Sequence, residues 1–480
     1  MWFTGLFTFG LAGFCLATPS DPLRPRNKRY NTKDEQGTEF TVFEHAATNT
    51  QLKFVTNSGI CETTPGVNSY SGYLSVGADN HMWFWFFEAR NSPTTAPLSL
   101  WLNGGPGCSS MVGLFQENGP CHFVDGQSEP SLNPYSWNTH ANMLYVDQPT
   151  AIGSYGSNGS NGLNSTVGAA PYVWQFMQAF YDAFPQYENH DFGLFTESYG
   201  GHWGPEFASY FEDQNAAIKD GKLAGSEIKL VALGINNGLL DATIQYKAYL
   251  DYGLTNKYRQ LLNQSQYNSQ LREYYSQCLP AAASCTGTTG DDSSCTAADN
   301  ICYNVTEGPI EDANDINYYD VRYTLEDPHS PPDTYGSYLQ NASVMAAIGA
   351  RVQYSMCSDT IVNDFVGTGD TFRSFLPALS KVVRSGITVL IWAGDADWLC
   401  NWIGNLECTN KIDYAGRTKF VSKVASPYTV NGTAAGEYKS VGNLNWLRVY
   451  EAGHEVPYYQ PEVALQAFWQ IMRNKTLSST

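Results

Sequence analysis

A serine hydroxyl is a weak nucleophile; it needs a base beside it, an acid to orient that base, and donors for the oxyanion. Three short stretches of this 480-residue chain supply those residue types. "FTESYGGHW" (195–203) places Ser198 between the apolar run FGLFTE and a helix-like GGHWGPEFASYFED, the strand–turn–helix setting of a nucleophile elbow. The pattern G-x-S-x-G is only partly met, because Thr196 occupies its first glycine, so this stretch alone fits a nucleophile or a structural turn equally well. "AGDADW" puts Asp395 and Asp397 directly after the run ITVLIW, and "EAGHEVPYYQP" puts His454 after WLRVY. Each loop by itself could be an ordinary turn. Three of them, in the order Ser, Asp, His and each after a strand-like run, favour acyl-transfer chemistry at Ser198.

The elements that must position these residues are legible as short, continuous apolar runs. They fall at 98–103, 141–146, 192–197, 228–233, 387–392 and 446–450, and have the character of strands buried on both faces. Helical periodicity lies between them: Tyr172, Val173, Phe176, Met177, Phe180 and Phe184 recur at three and four. Strands alternating with helices predict an α/β fold with a mostly parallel central sheet and helices on both faces, and the residue order is that of the α/β-hydrolases. "SGYLSVGADNHMWFWFFEAR" reads as an N-terminal hairpin around a Gly-Ala-Asp-Asn turn. Residues 240–355 break the rhythm; they are rich in Tyr, Ser, Asn, Asp and Gly, contain Cys278, Cys285, Cys295 and Cys302, and read as a helical, disulfide-stapled cap inserted between core segments 51–239 and 356–480.

Residues 1–17 read as an export signal, an apolar run ending in small residues with Cys15 and Ala17 at the positions a peptidase inspects. Residues 18–50 form an N-terminal segment, in which Lys28-Arg29 is either a dibasic processing site or a surface pair. The formal charge of −19 argues against nucleic acid and anionic membrane as partners. Loss of Cys15 from a total of eleven cysteines leaves an even number, suited to disulfides in an oxidising compartment. Seven N-x-[ST] sequons, at Asn158, Asn164, Asn263, Asn304, Asn341, Asn431 and Asn474, permit glycosylation. The expected location is extracellular or vacuolar. No H-E-x-x-H and no Cys/His cluster with zinc spacing occurs, so neither metal nor other cofactor is expected, and His122 and His140 read as structural or surface residues.

A fourth segment, "LWLNGGPGCSSMVGLFQENGP", also follows a strand-like run, and its glycines can turn backbone N–H groups toward an anion. Together, WLNGGPGCSS, ESYGG, GDAD and GHEVP resemble the serine carboxypeptidase family, acid-active exopeptidases of vacuoles, lysosomes and fungal secretions, over roughly residues 50–475. The resemblance implies Ser198 as nucleophile, His454 as general base and then acid, and Asp397 as the orienting acid, with Asp395 a turn residue. It implies an oxyanion hole at the N–H groups of Gly105 and Tyr199. Recognition of a substrate's terminal carboxylate would fall to Asn103, Gly104 and Glu197, with Glu117 hydrogen-bonded to Glu197. Two adjacent carboxyls do not readily both ionise, so at acidic pH a shared proton would let the pair bind a carboxylate. The implied substrates are peptide and protein C-termini.

The sequence departs from the family pattern at three places. Thr196 replaces the first elbow glycine, Glu455 stands where many members have Met, and Tyr459 replaces a common acidic position. A carboxylate at 455, beside His454 and the pocket for the C-terminal side chain, would favour basic C-terminal residues. The resemblance pairs Cys108 with Cys357 and nests Cys285–Cys295 inside Cys278–Cys302. Cys61–Cys121 and Cys400–Cys408 are what remain, although members often carry a free thiol at the position of Cys400. Two other readings use the same residues: an esterase or acyltransferase with this triad, and a binding or protective protein in which the triad is idle.

Overall fold

The computed structural model describes residues 27–35, 37–46, 49–76, 81–124, 126–148, 163–326 and 331–480. The export signal, the 77–80 turn and Asn158 lie outside the described residues. One sheet of thirteen strands organises the chain. In chain order these are β1 (Lys28–Lys33), β2 (Glu39–His45), β3 (Thr50–Thr56), β4 (Ser69–Val76), β5 (His81–Phe87), β6 (Leu98–Leu102), β7 (Asn142–Val146), β8 (Phe192–Glu197), β9 (Leu230–Asn236), β10 (Thr388–Gly394), β11 (Ser426–Val430), β12 (Thr433–Val441) and β13 (Leu444–Val449). Their spatial order is β1-β2-β3-β4-β5-β7-β6-β8-β9-β10-β13-β12-β11. The six strands from β7 to β13 pair in parallel, and antiparallel strands extend both sides.

Alternation along each strand feeds two cores. In β5, Met82, Phe84 and Phe86 join the core beneath helices α1 (Thr166–Ala183) and α2 (Gly200–Lys219), while Trp83, Trp85 and Phe87 join the opposite one. There Trp137 stacks on Phe468 of the C-terminal helix Pro461–Met472, with ring centroids 4.1 Å apart. The helical stripe expected at 172–184 lies in α1 and ends on its C-cap, Phe184; the start of the helix is capped by Ser165 accepting from the Gly168 N–H.

Each expected core run is a strand, but β9 begins two residues later and runs three residues further than the run IKLVAL. Gly234, just past the expected run, lies inside it, and a Cβ there would fall 2.2 Å from the Phe195 ring, so this glycine is an interior packing site. The edge strands β1–β3 and the hairpin β11–β12 had no expected counterpart, since they are half-exposed and their apolar residues are diluted by polar ones. Lys28 and Arg29 lie in β1, exposed at the sheet edge. The asparagines of the sequons at 164, 263, 304, 341, 431 and 474 are all exposed.

The inserted segment serves two places. Helices Ala242–Thr255, Gln264–Glu273 and Asp292–Val305 enclose their own core, with Leu250, Tyr252 and Ile310 packed on Phe372 and Trp398 beside the strand ends. From Tyr335 to Ile348 the chain instead packs among Trp83, Phe115 and Tyr354 at the side of the sheet, and Ser71 donates to the Ile348 carbonyl at 2.7 Å. Disulfides join Cys61–Cys121, Cys108–Cys357, Cys278–Cys302 and Cys285–Cys295. The expected Cys400–Cys408 pair is absent: both are free and buried. Cys400 precedes the helix Trp402–Lys411 and Cys408 lies near its end, a rise of roughly 10 Å that exceeds the Cα separation a disulfide tolerates. No helix among the described residues is long and apolar enough to cross a membrane.

Candidate active site

The chemistry-bearing residues converge at the C-terminal ends of the parallel strands, where open α/β sheets take their ligands. Asn103 and Gly104 follow β6, Ser198 follows β8, Asn236 ends β9, Asp397 follows β10, and His454 lies beyond β13. Ser198 holds a φ of +60°, unusual for a residue with a Cβ, at a turn fixed by its N–H to the Asn236 carbonyl at 3.0 Å and by its own carbonyl accepting from Gly201 and Leu239. Thr196 fits because its hydroxyl donates to the Gly200 carbonyl at 2.8 Å and the glycine leaves room; a Cβ on Gly200 would lie 2.5 Å from that of Thr196. Gly104 is required by close approach. Its Cβ would fall 2.4 Å from the Tyr199 nitrogen and 2.7 Å from the Ser198 Cβ. Gly105, Ser198 and Tyr199 open onto one cavity.

His454 Nδ1 lies 2.9 Å from Asp397 Oδ2, and both side chains are buried. Asp397 also accepts from Asn237 Nδ2 at 2.7 Å and from the N–H groups of Leu399 and Cys400 at 2.9 and 3.1 Å. A carboxylate ringed by donors is held in one orientation. Asn236 Nδ2 donates to the His454 carbonyl at 3.0 Å and to Glu197 Oε2 at 2.7 Å, tying the histidine loop to the strand that carries the elbow. Tyr319 of the insertion covers the imidazole, ring centroids 4.9 Å apart, and its carbonyl accepts the His454 N–H.

Beside Ser198 lies a buried carboxyl pair. Glu117, in a π-helical turn from Gly113 to Glu117, lies with Glu197 about one amide, and Asn103 Nδ2 donates to an oxygen of each at 3.1 Å. The Asn103 amide cannot flip, because its Oδ1 accepts from Trp101 Nε1 and the Gly113 N–H, each at 2.8 Å. Burial, then the charges of Glu197 and Glu455, push the Glu117 carboxyl well above the usual range; burial also raises Glu197 against the pull of His454 and its hydrogen bonds. Burial and Glu197 raise Glu455 to about 8, and its Oε2 is buried with no hydrogen-bond partner among the described residues. Burial lowers His454, but Asp397, Glu197 and Glu455 outweigh it and lift the imidazole to about 9. Each proton taken up by the glutamates weakens that lift and favours the neutral imidazole.

Asp395 is separate from this centre. It accepts from Tyr258, Arg448 and the Glu451 N–H and pairs with Lys257, bracing the insertion against the histidine loop. Tyr459 does the same from the other side, with Arg322 5.3 Å above its ring. His140 stacks on Trp469 at 4.4 Å, and His122 lies in a two-residue strand. The residues missed from sequence are Asn236, Asn237, Tyr319 and Asp370, which accepts the Tyr199 hydroxyl at 2.6 Å and so fixes the residue after Ser198. "INNG" after the β9 run carried a signal for the first two; Tyr319 and Asp370 had none.

The sheet, its crossovers and the strand-end site define an α/β-hydrolase. A model of the serine carboxypeptidase family matches residues 59–474, and the chain belongs to that family. Carboxypeptidase S1 of Penicillium janthinellum is 58% identical over 428 residues, covering 89% of this chain and all of that one. A carboxypeptidase S1 homolog A of Arthroderma otae is 35% identical, covering 88% of this chain and 76% of the relative. The crystal structure of Kex1, a prohormone-processing carboxypeptidase from Saccharomyces cerevisiae, superposes with a TM-score of 0.71 at 23% identity over 85% of this chain and 91% of that one, a likeness of fold. The protein is a serine-type carboxypeptidase acting on peptides.

Proposed function

We propose that this carboxypeptidase removes single C-terminal residues from peptides and proteins at acidic pH, with Ser198 as nucleophile, His454 as general base and acid, and Asp397 as orienting acid. The observation that carries the reading is the buried His454–Asp397 hydrogen bond in the same strand-end cluster as Ser198 and the Glu117–Glu197 pair. Ser198 Oγ attacks the last peptide carbonyl as His454 takes its proton. The N–H groups of Gly105 and Tyr199 receive the oxyanion, the C–N bond breaks, and His454 returns the proton to the leaving amine. Water, deprotonated by His454, then attacks the acyl-enzyme and releases the shortened peptide. Asn103, the Gly104 N–H and the protonated Glu117–Glu197 pair bind the terminal carboxylate; their proximity to Ser198 favours an exopeptidase over an esterase or acyltransferase with the same triad.

The export signal, the four disulfides and the exposed sequons support a secreted or vacuolar glycoprotein, and the acidic surface speaks against nucleic acid and membranes. A fluorophosphonate probe should label Ser198 stoichiometrically and abolish turnover. Absence of labelling in folded protein would favour the idle, binding-protein reading. Glu455 supplies a buried carboxyl beside the C-terminal residue's pocket, and a cationic C-terminal side chain would draw the proton from it. Replacing it with Met should lower the kcat/KM ratio of C-terminal Lys to Leu by roughly tenfold; an unchanged ratio would refute that role.

A further inference from the structure

The loop 103–110 carries the Gly104 and Gly105 N–H groups, and its far end is gripped by a buried carboxyl outside the cluster around Ser198. Asp147 directly follows β7, and its Oδ1 accepts from the Ser109 hydroxyl at 2.9 Å and from the Ser110 N–H at 2.8 Å. The two serine hydroxyls are fully committed. That of Ser110 donates to the Val146 carbonyl at 2.6 Å and accepts the Asn103 N–H at 3.3 Å, and that of Ser109 accepts the Met111 N–H at 3.0 Å. From the other side, the Ser109 N–H donates to the Met356 carbonyl at 2.8 Å, and the Cys108–Cys357 disulfide crosses beside it. The Cys108 N–H donates to the Gly104 carbonyl at 3.2 Å, and a Cβ on Gly105 would lie 2.7 Å from the Cys108 nitrogen, so the Gly105 N–H moves with this turn.

The two oxygens of Asp147 are unequal. Oδ1 takes both donors, whereas Oδ2 is buried with no hydrogen-bond partner among the described residues. The titratable groups facing the carboxyl are the phenols of Tyr73, on β4, and Tyr354, beyond the insertion, both pushed upward by burial. Arg351, whose N–H donates to the Tyr73 hydroxyl, pairs with Asp34 instead. A buried carboxylate needs a counter-charge and donors at both oxygens, whereas a carboxylic acid accepts at its carbonyl oxygen and needs no donor at its hydroxyl. Burial, against the pull of Ser109 and Ser110, raises this carboxyl to about 8. We propose that Asp147 is a positioning residue for the oxyanion hole, acting as an uncharged carboxylic acid whose carbonyl oxygen fixes the Ser109–Ser110 turn and through it the Gly105 N–H. This role rests on the assignment of Ser198 and Gly105 to acyl transfer.

The test uses a blocked ester, which needs the oxyanion hole but not the carboxylate site, at about pH 5, where Asp147 holds its proton. Asp147→Ala should lower kcat by at least about tenfold with KM little changed, the scale of a displaced oxyanion donor. Asp147→Asn keeps an uncharged acceptor at the Oδ1 position and should restore turnover to within about threefold of the wild type. Melting temperature gives a readout that lost packing alone does not move. The native carboxyl keeps a proton that the unfolded chain, titrating at about 4, has shed, so the wild type loses stability as pH rises from there toward about 8. Asp147→Asn has no proton to lose, and its melting temperature should climb relative to the wild type between about pH 4.5 and 7.5. A folded Asn variant that loses ester turnover by about tenfold or more, a folded Ala variant that turns over like the wild type, or a melting difference that does not change with pH overturns this role and leaves the carboxypeptidase intact. If Asp147→Ala does not fold, the Asn variant and its melting profile decide. A wild type that hydrolyses neither ester nor peptide overturns the Ser198 assignment and this role together.

Discussion

Asp397→Asn should lower kcat by about 10⁴-fold with KM little changed, the scale seen when the orienting carboxylate of a Ser-His-Asp triad becomes an amide. The reason lies in the ring of donors. Asp397 Oδ2 accepts from Asn237, from the Cys400 N–H and from His454 Nδ1, while Oδ1 accepts from the Leu399 N–H. An asparagine can offer an acceptor at only one of those two positions. With its NH₂ toward His454, the imidazole must accept at Nδ1 and carry its proton on Nε2, where it cannot take one from Ser198. With its NH₂ toward Leu399, two donors collide at a buried position, at a stability cost of about 1–3 kcal/mol. Stopped-flow or steady-state kinetics on the folded variant separate the two contributions; a loss of less than tenfold would mean that Asp397 does not orient the base.

The second large effect is on pH dependence. Glu117, held well above the usual carboxyl range by burial and by Glu197, keeps its proton in acid and releases it only as pH climbs. Below that transition the pair can donate to a substrate carboxylate; above it, two negative charges meet a third. Once binding requires uptake of one proton, KM for a peptide should rise by about tenfold per pH unit. A blocked ester brings no carboxylate and needs only neutral His454, which becomes more abundant as pH rises, so its hydrolysis should decline far less. Glu117→Gln keeps a donor toward Glu197 but has no proton to lose, and should flatten the slope of log KM against pH. Parallel loss of peptidase and esterase activity in the wild type would contradict this account.

Much of the candidate centre was legible because residues set at strand ends leave local marks. Ser198, Asp397 and His454 each follow a run apolar enough to be buried on both faces, and the sheet order then forces their loops to one edge. The supporting residues were harder to see. Asn236 and Asn237 hold the Glu197 carboxylate and the Asp397 carboxylate, yet the expected run ended at Leu233, before Gly234, which leaves room for the Phe195 ring. Tyr319 and Asp370 reach the site through tertiary packing from 135 residues before His454 and 172 after Ser198, counted along the chain, and no local pattern records such contacts. The insertion read as a single cap because both of its parts are polar and helical; only packing separates the part beside Ser198 from the part beside Trp83. Cys400 and Cys408 looked paired by count, and the rigid rise of an intervening helix keeps them apart.

The most direct test is amino-acid release at about pH 4.5, in the acidic range where the carboxyl pair keeps its proton, from an N-blocked dipeptide with a free C-terminus. A C-terminally amidated control and the Ser198→Ala protein are run beside it. The account predicts release from the free acid, little from the amide, and loss of activity in the variant. Release that survives Ser198→Ala, or that proceeds equally from the amide, would contradict it.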